Sequence, residues 1–194
     1  MYTTCLSLLD RLRQAKPDAA EWRRLQDVYL PVIRSWLSRV PGLHDESQDL
    51  SQEVLVVLFR ELPAFERRHH GSFRAWLRQI TINRIRAFCK TRRHQPLAGL
   101  GPEVDQFLTQ LEDPGSDLAR QWDQEHDRHV FQKLLAVVRA DFEPRTWQAF
   151  TRFAVDGAPA RQVAEELGMS ESAVMQAKFR VLKRLRQEAG ELLD

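Results

Sequence analysis

Apolar residues recur at spacings of three and four along most of the chain, and no stretch alternates with period two, so the pattern predicts an all-α protein. Trp22, Leu25, Tyr29, Val32, Ile33, Trp36, Leu37 and Val40 form one stripe, predicting a helix bent at Pro31 and ended by Pro41 and Gly42. Leu50, Val54, Val57, Leu58 and Leu62 form a second, opened by a cap at Asp45 and stopped by Pro63. A third consists of Phe73, Trp76, Leu77, Ile80, Ile85 and Phe88, with Ser72 in the N-cap position. With a short helix near residues 5–12, these stripes can close a bundle core.

From residue 95 to about 124 the periodicity fails. PLAGLGPEV and EDPGSD are rich in Pro, Gly and acids, the composition of a linker. Helical spacing returns at Val130, Phe131, Leu134, Leu135 and Val138, and again at Trp147, Phe150 and Phe153. The expected organisation is two helical modules, residues 1–95 and 127–194, joined by an acidic linker over 96–126. A flexible linker of about 30 residues has an r.m.s. span of roughly 30 Å.

The end of the second module reads ARQVAEELGMSESAVMQAKFRVLKRLR over residues 160–186. Val163, Ala164 and Leu167 mark a short helix, Gly168 a turn, and Ser170 a cap. Val174, Ala177, Val181 and Leu185 then mark the inward face of a second helix. This is the pattern of a helix-turn-helix, whose second helix enters the major groove of DNA near its N-terminal end. Its outward set comprises Glu171, Ser172, Gln176, Lys178, Phe179 and Arg180, with Lys183, Arg184 and Arg186 farther along. Gln176 suits adenine and Lys178 or Arg180 guanine, while the later cations suit phosphate. A surface hairpin with a solvated basic face would show the same periodicity.

Charge sharpens the picture through its segregation. The 194-residue chain has a net charge of only +2, yet Arg67, Arg68, Arg74, Arg78, Arg84, Arg86, Lys90, Arg92 and Arg93 fall within residues 67–93 with no carboxylate among them. Residues 94–125, by contrast, carry Glu103, Asp105, Glu112, Asp113, Asp117, Asp123 and Glu125 against Arg120 alone. A basic helix with Phe73, Trp76 and Phe88 interleaved suits a polyanion with unstacked bases, although aromatics at this spacing more often belong to a core. Cys5 and Cys89 make neither a disulfide framework nor a metal set, which fits a reducing cytosol. No apolar run approaches the roughly 20 residues of a membrane span, and MYTTCLSLLDRLRQ lacks a signal-peptide layout, so a cytoplasmic protein without membrane insertion is expected. His44, Asp45, Asp49 and Glu53 at helical spacing read as surface residues rather than metal ligands. No cofactor is expected.

Two motifs together resemble the extracytoplasmic-function sigma factors, small bacterial initiation factors with only regions 2 and 4. DLSQEVLVVLFRELPAF at 49–65 and GSFRAWLRQITINRIRAFCKTRR at 71–93 resemble region 2, and residues 147–186 resemble region 4. The resemblance implies a non-enzymatic factor that binds core RNA polymerase through its β′ clamp helices and β flap and directs it to promoter DNA. Asp49, Gln52 and Glu53 would face the clamp helices; Asp49 and Glu53 stand at i and i+4 on one face. Arg67, Arg68, Ser72, Arg74, Arg78, Asn83, Arg84, Arg86, Lys90, Arg92 and Arg93 would meet the melted −10 element. Ser170, Glu171, Ser172, Gln176, Lys178, Arg180, Lys183 and Arg184 would meet the −35 duplex. An anti-sigma factor covering the polymerase-binding faces is a further implied partner, and the acidic linker would thread a basic channel of polymerase. QAK at 176–178 departs from the family's usual reading helix, as do His69 and His70 from its loop. Two other readings stand beside this one: a stand-alone helix-turn-helix regulator of duplex operators, and a nuclease or recombinase using Asp45, Asp49 and Glu53. No Ser, Tyr or metal constellation favours the last.

Overall fold

A computed structural model describes residues 19–66, 72–92 and 101–189, with the backbone alone at 19–21, 72 and 92. Among these residues the secondary structure is entirely helical, as the periodicity predicts. Two compact units emerge, one ending at Phe131 and the other beginning at Gln132, so the border falls inside a single helix.

The first unit is a bundle. Helix α1 (Ala19–Leu37) runs through Pro31, which is exposed, and buries Leu25, Tyr29, Val32, Ile33, Trp36 and Leu37. Helix α2 (Ser47–Glu61) begins two residues after Asp45, with Glu46 in the cap position and no side-chain cap bond; Ser47 Oγ instead donates to the His44 carbonyl at 2.7 Å. A single 3-10 turn at Leu62–Ala64 carries Pro63 and ends it. Helix α3 (Ser72–Arg92) buries Phe73, Leu77, Ile80, Ile82, Ile85 and Cys89. Phe65 links α3 to the preceding turn: its ring stacks on Trp76 at 4.6 Å and meets Phe73 edge-on at 5.4 Å. Of the three aromatics at helical spacing in the basic run, Phe73 is thus core, while Trp76 and Phe88 are half-buried.

The segment read as a flexible linker is instead two helices. Helix α4 (Pro102–Glu112) starts with Pro102 at its first position, where a missing N–H costs nothing, and buries Val104, Leu108 and Leu111. Asp113 closes a tight turn by accepting the Gly115 N–H at 2.9 Å. Ser116 then caps helix α5 (Asp117–Arg139), its Oγ accepting the Ala119 N–H at 3.0 Å. The first half of α5 belongs to the bundle core: Ala119, Trp122, His126 and Val130 are all fully buried. Trp122 packs on Trp36 with ring centroids 5.0 Å apart, His126 stacks on Tyr29 at 5.8 Å, and His129 Nε2 lies 2.8 Å from the Val28 carbonyl. Among the described residues, the prolines and glycines that suggested a tether, Gly101, Pro102, Pro114 and Gly115, stand at helix boundaries.

In the second unit, helix α6 (Pro144–Phe150) continues into a π turn at Thr151–Val155, followed by α7 (Ala160–Leu167) and α8 (Glu171–Ala189). Ala149, Val163, Ala164, Val174 and Ala177 form its core, flanked by Phe153, Leu167 and Met169. No described helix is long and apolar enough to cross a membrane.

Truncating a fully buried tryptophan costs about 3–5 kcal/mol. Trp122→Ala should therefore lower the unfolding free energy of the bundle by that amount, whereas a mobile linker residue would tolerate the change; urea unfolding followed by far-UV circular dichroism measures it.

Candidate nucleic-acid interface

Region by region, the residue types selected from the sequence occupy three surfaces. On α2, Asp49, Gln52 and Glu53 are exposed, and Val56 joins them at i+7 from Asp49. Val56 is 63% exposed, an unusual position for a valine on a helix whose Leu50, Val54, Val57 and Leu58 are buried. Sequence reasoning passed over it, although its 3-and-4 spacing from Glu53 and Gln52 carries the signal. Glu53 Oε2 lies 3.7 Å from Arg84 Nε on α3.

The second surface is α3, and here the structure divides the cations. Arg78 is buried: its Nη1 donates to Asp123 Oδ1 at 2.8 Å and to the Ala119 carbonyl at 3.4 Å. Arg74 reaches Asp127 at 2.7 Å and Asp123 at 3.5 Å. These two arginines bolt α5 to α3. Arg86 forks onto Glu112 of α4 with two bonds of 3.0 and 2.6 Å, a bidentate geometry that fixes direction as well as charge. Gln79 also donates to Glu112, at 3.4 Å, and to Asn83 Oδ1 at 3.0 Å. Glu112 therefore bonds Gln79 and Arg86, which flank Asn83 along the polar row of α3. Lys90 remains exposed. Arg67, Arg68 and Arg93, and the side chains of Ser72 and Arg92, lie outside the described residues.

Acids held this way titrate low. The Arg86 hydrogen bonds keep the Glu112 carboxyl below the ordinary glutamate range. Burial pushes Asp127 upward, but the hydrogen bond from His126 and the Arg74 charge outweigh it and hold the group low. Glu125 behaves likewise: burial raises it, and the bonds from Arg39 and Gln121 prevail.

The third surface is built on the helix-turn-helix. Gly168 ends α7 in the left-handed conformation at φ +60, which a side chain disfavours, and the Met169 N–H reaches back to the Ala164 carbonyl at 2.9 Å. Arg145 of α6 clamps the turn: Nε donates to the Leu167 carbonyl at 3.0 Å and Nη2 to the Gly168 carbonyl. Sequence reasoning missed this arginine because its partners are backbone atoms 22 and 23 residues away. Ser170 caps α8, accepting the Ala173 N–H at 3.1 Å. Glu171, Ser172, Gln176, Arg180 and Lys183 are exposed. Lys178 is half-buried, with Nζ 5.0 Å above the Phe153 ring. Arg184 turns back onto its own module, pairing with Asp141 at 2.7 Å and with the buried Glu188 at 2.9 Å.

Among the described residues no three His, Cys, Asp or Glu side chains converge on a potential metal position. The arrangement offers hydrogen-bonding and cationic groups to a polyanion.

Comparison with known proteins falls on the same two regions. The family model described as Sigma-70 region 2 matches residues 25–95, and that described as Sigma-70, region 4 matches residues 143–185. A probable RNA polymerase sigma factor, RfaY, of Xanthomonas campestris pv. campestris is 27% identical over 148 residues, 76% of this chain and 35% of that protein. The chain thus spans about a third of that relative's length.

A buried arginine held by a carboxylate contributes about 2–3 kcal/mol. Arg78→Ala should lower the unfolding free energy measured in urea by that amount, while Lys90→Ala should leave it within about 0.5 kcal/mol of wild type. A second expectation concerns pH. Glu112, Glu125 and Asp127 have folded-state pKa values below their unfolded ones, so their stabilisation is full above the unfolded values near 4 and is lost as pH falls through the folded values. Stability measured from pH 6 downward should decline below about pH 5, and Glu112→Gln should flatten that decline.

Proposed function

Since the chain belongs to the extracytoplasmic-function type of sigma-70 factor, with a region 2 and a region 4, we propose that it binds core RNA polymerase and directs it to specific promoters. Sigma factors as a family are not enzymes, and the chain acts without catalysis or cofactor, in the cytoplasm. What carries this reading is the coexistence in one chain of a capped, basic helix-turn-helix and a separate bundle that presents an acidic face on α2 and a basic helix beside it.

Region 2, the 1–95 domain of the sequence reading, engages polymerase through Asp49, Gln52, Glu53 and Val56, charges and a greasy centre suited to a basic β′ coiled surface. Region 4, from 127 to 194, presents Glu171, Ser172, Gln176, Arg180 and Lys183 to the −35 duplex and docks on the β flap. Asn83, Arg84, Arg86 and Lys90, with the loop residues Arg67 and Arg68, take the melted −10 strand. Arg74, Arg78 and Arg184 support these surfaces from behind. An anti-sigma factor would block the α2 face.

In this scheme α4 competes with promoter DNA. Glu112 occupies the Arg86 guanidinium and Gln79 that a phosphate or base edge would take, so α4 must give way as the −10 element is captured.

Run-off transcription with core polymerase tests the reading. Addition of the chain should produce transcripts from a distinct promoter set, with tight binding to core and weak binding to duplex promoter alone. Tight duplex binding without any core-dependent transcript would instead mark a stand-alone regulator. Removing one exposed charge pair is worth about 0.2–1 kcal/mol, so Glu112→Gln should strengthen binding of the free protein to a random-sequence single strand by up to about fivefold in a fluorescence-anisotropy titration.

A further inference from the structure

Five large apolar side chains are exposed among the described residues, and two of them, Met175 at 53% and Phe179 at 64%, stand one turn apart on α8. Their position follows from the helix period. Val174, Ala177, Val181 and Leu185 face the module core, and a rotation of 100° per residue sets Ser172, Gln176, Phe179 and Lys183 on the opposite side. Phe179 is thus at the middle of the outward face. The core has no use for it, since Trp147, Phe150 and Phe153 already supply aromatic volume there. A phenylalanine left in water on this face gains nothing until something apolar covers it.

The surroundings restrict what that cover is. Arg180, Lys183 and Arg186 are exposed around Phe179, and no carboxylate occurs between Ser172 and Gln187. This field favours a polyanion. Within the DNA major groove only thymine presents an apolar group, its C5 methyl; the other bases present hydrogen-bonding edges alone.

We propose that Phe179 and Met175 read thymine methyl groups in the −35 element. This rests on the promoter-binding reading above and adds the base that α8 selects. Gln176 and the cations supply polar and phosphate contacts, while the two apolar side chains discriminate T·A from C·G. Four residues advance about 6 Å along a helix, close to two base-pair steps of about 3.4 Å, so the favoured thymines stand about two steps apart.

The test replaces thymine by uracil, which deletes the methyl and keeps the pairing edge. Promoters are first selected by holoenzyme from a library randomised across the −35 region, and thymines should be enriched at two positions about two steps apart. Each T→U change at those positions should weaken holoenzyme binding about fourfold, the worth of one buried methyl-sized group at about 0.8 kcal/mol. Holoenzyme carrying F179A, or M175A for the second position, should bind the thymine and uracil promoters equally. Both residues are exposed, so the variants should keep the wild-type circular dichroism and core affinity. If uracil binds as well as thymine while T·A→G·C changes still impair initiation, the methyl contact is wrong and the promoter reading stands. If no −35 change matters, the promoter reading itself fails. Uracil sensitivity that survives both substitutions would assign the methyls to another residue and overturn the proposal.

Discussion

The region 2 bundle depends on one electrostatic requirement: α3 gathers cations along one helix, and something must offset their mutual repulsion for the bundle to form. The chain answers with carboxylates from the segment that follows. Asp123 and Asp127 hold Arg74 and Arg78, and Glu112 holds Arg86. These pairs alone would be modest, since exposed ion pairs contribute little. They are effective because Trp122, His126 and Val130 bury α5 against α1 and so deliver the acids at fixed distance. Apolar burial provides the affinity and charge provides the register.

The same coupling explains why the sequence was partly opaque. Helices α1, α2 and α3 announce themselves by long runs of 3-and-4 spacing, and α7 and α8 by a glycine at the turn and a serine cap. Helix α4 carries Val104, Phe107, Leu108 and Leu111 at helical spacing, but this single short stripe is flanked by prolines, glycines and acids, and the composition of the surrounding segment masked it. In α5 the signal was hidden differently. Trp122 and Val130 are eight residues apart with His126 between them, and a buried histidine does not read as hydrophobic. Counting acids between residues 94 and 125 correctly located a charge block but not its destination. A carboxylate that pairs with an arginine 26 or 45 residues earlier looks, in sequence, like one that faces water.

The candidate site was legible by residue type and less so by orientation. Arg78 and Arg184 carry the same charge as Lys90 and Lys183, yet the first two face partners within their own units while the latter are exposed. Helical phase separates them in principle. Arg184 precedes the buried Leu185 by one residue and Arg78 follows the buried Leu77, at the edges of the apolar stripes where long side chains bend toward whatever acid is near. Arg145 shows the opposite case, an ordinary surface arginine by pattern that closes the turn on which α8 is oriented.

One feature of α3 also bears on how the protein meets DNA other than its target. A cationic helix normally binds any duplex by displacing condensed sodium or potassium ions, and its affinity falls steeply as salt rises. Here Arg74, Arg78 and Arg86 already carry the chain's own carboxylates as counterions, tethered at fixed concentration whatever the buffer contains. The bundle should therefore show a salt slope shallower than its arginine content implies and little hold on random genomic sequence. In a cell crowded with nucleic acid, built-in counterions keep such a factor from being trapped at the wrong sites.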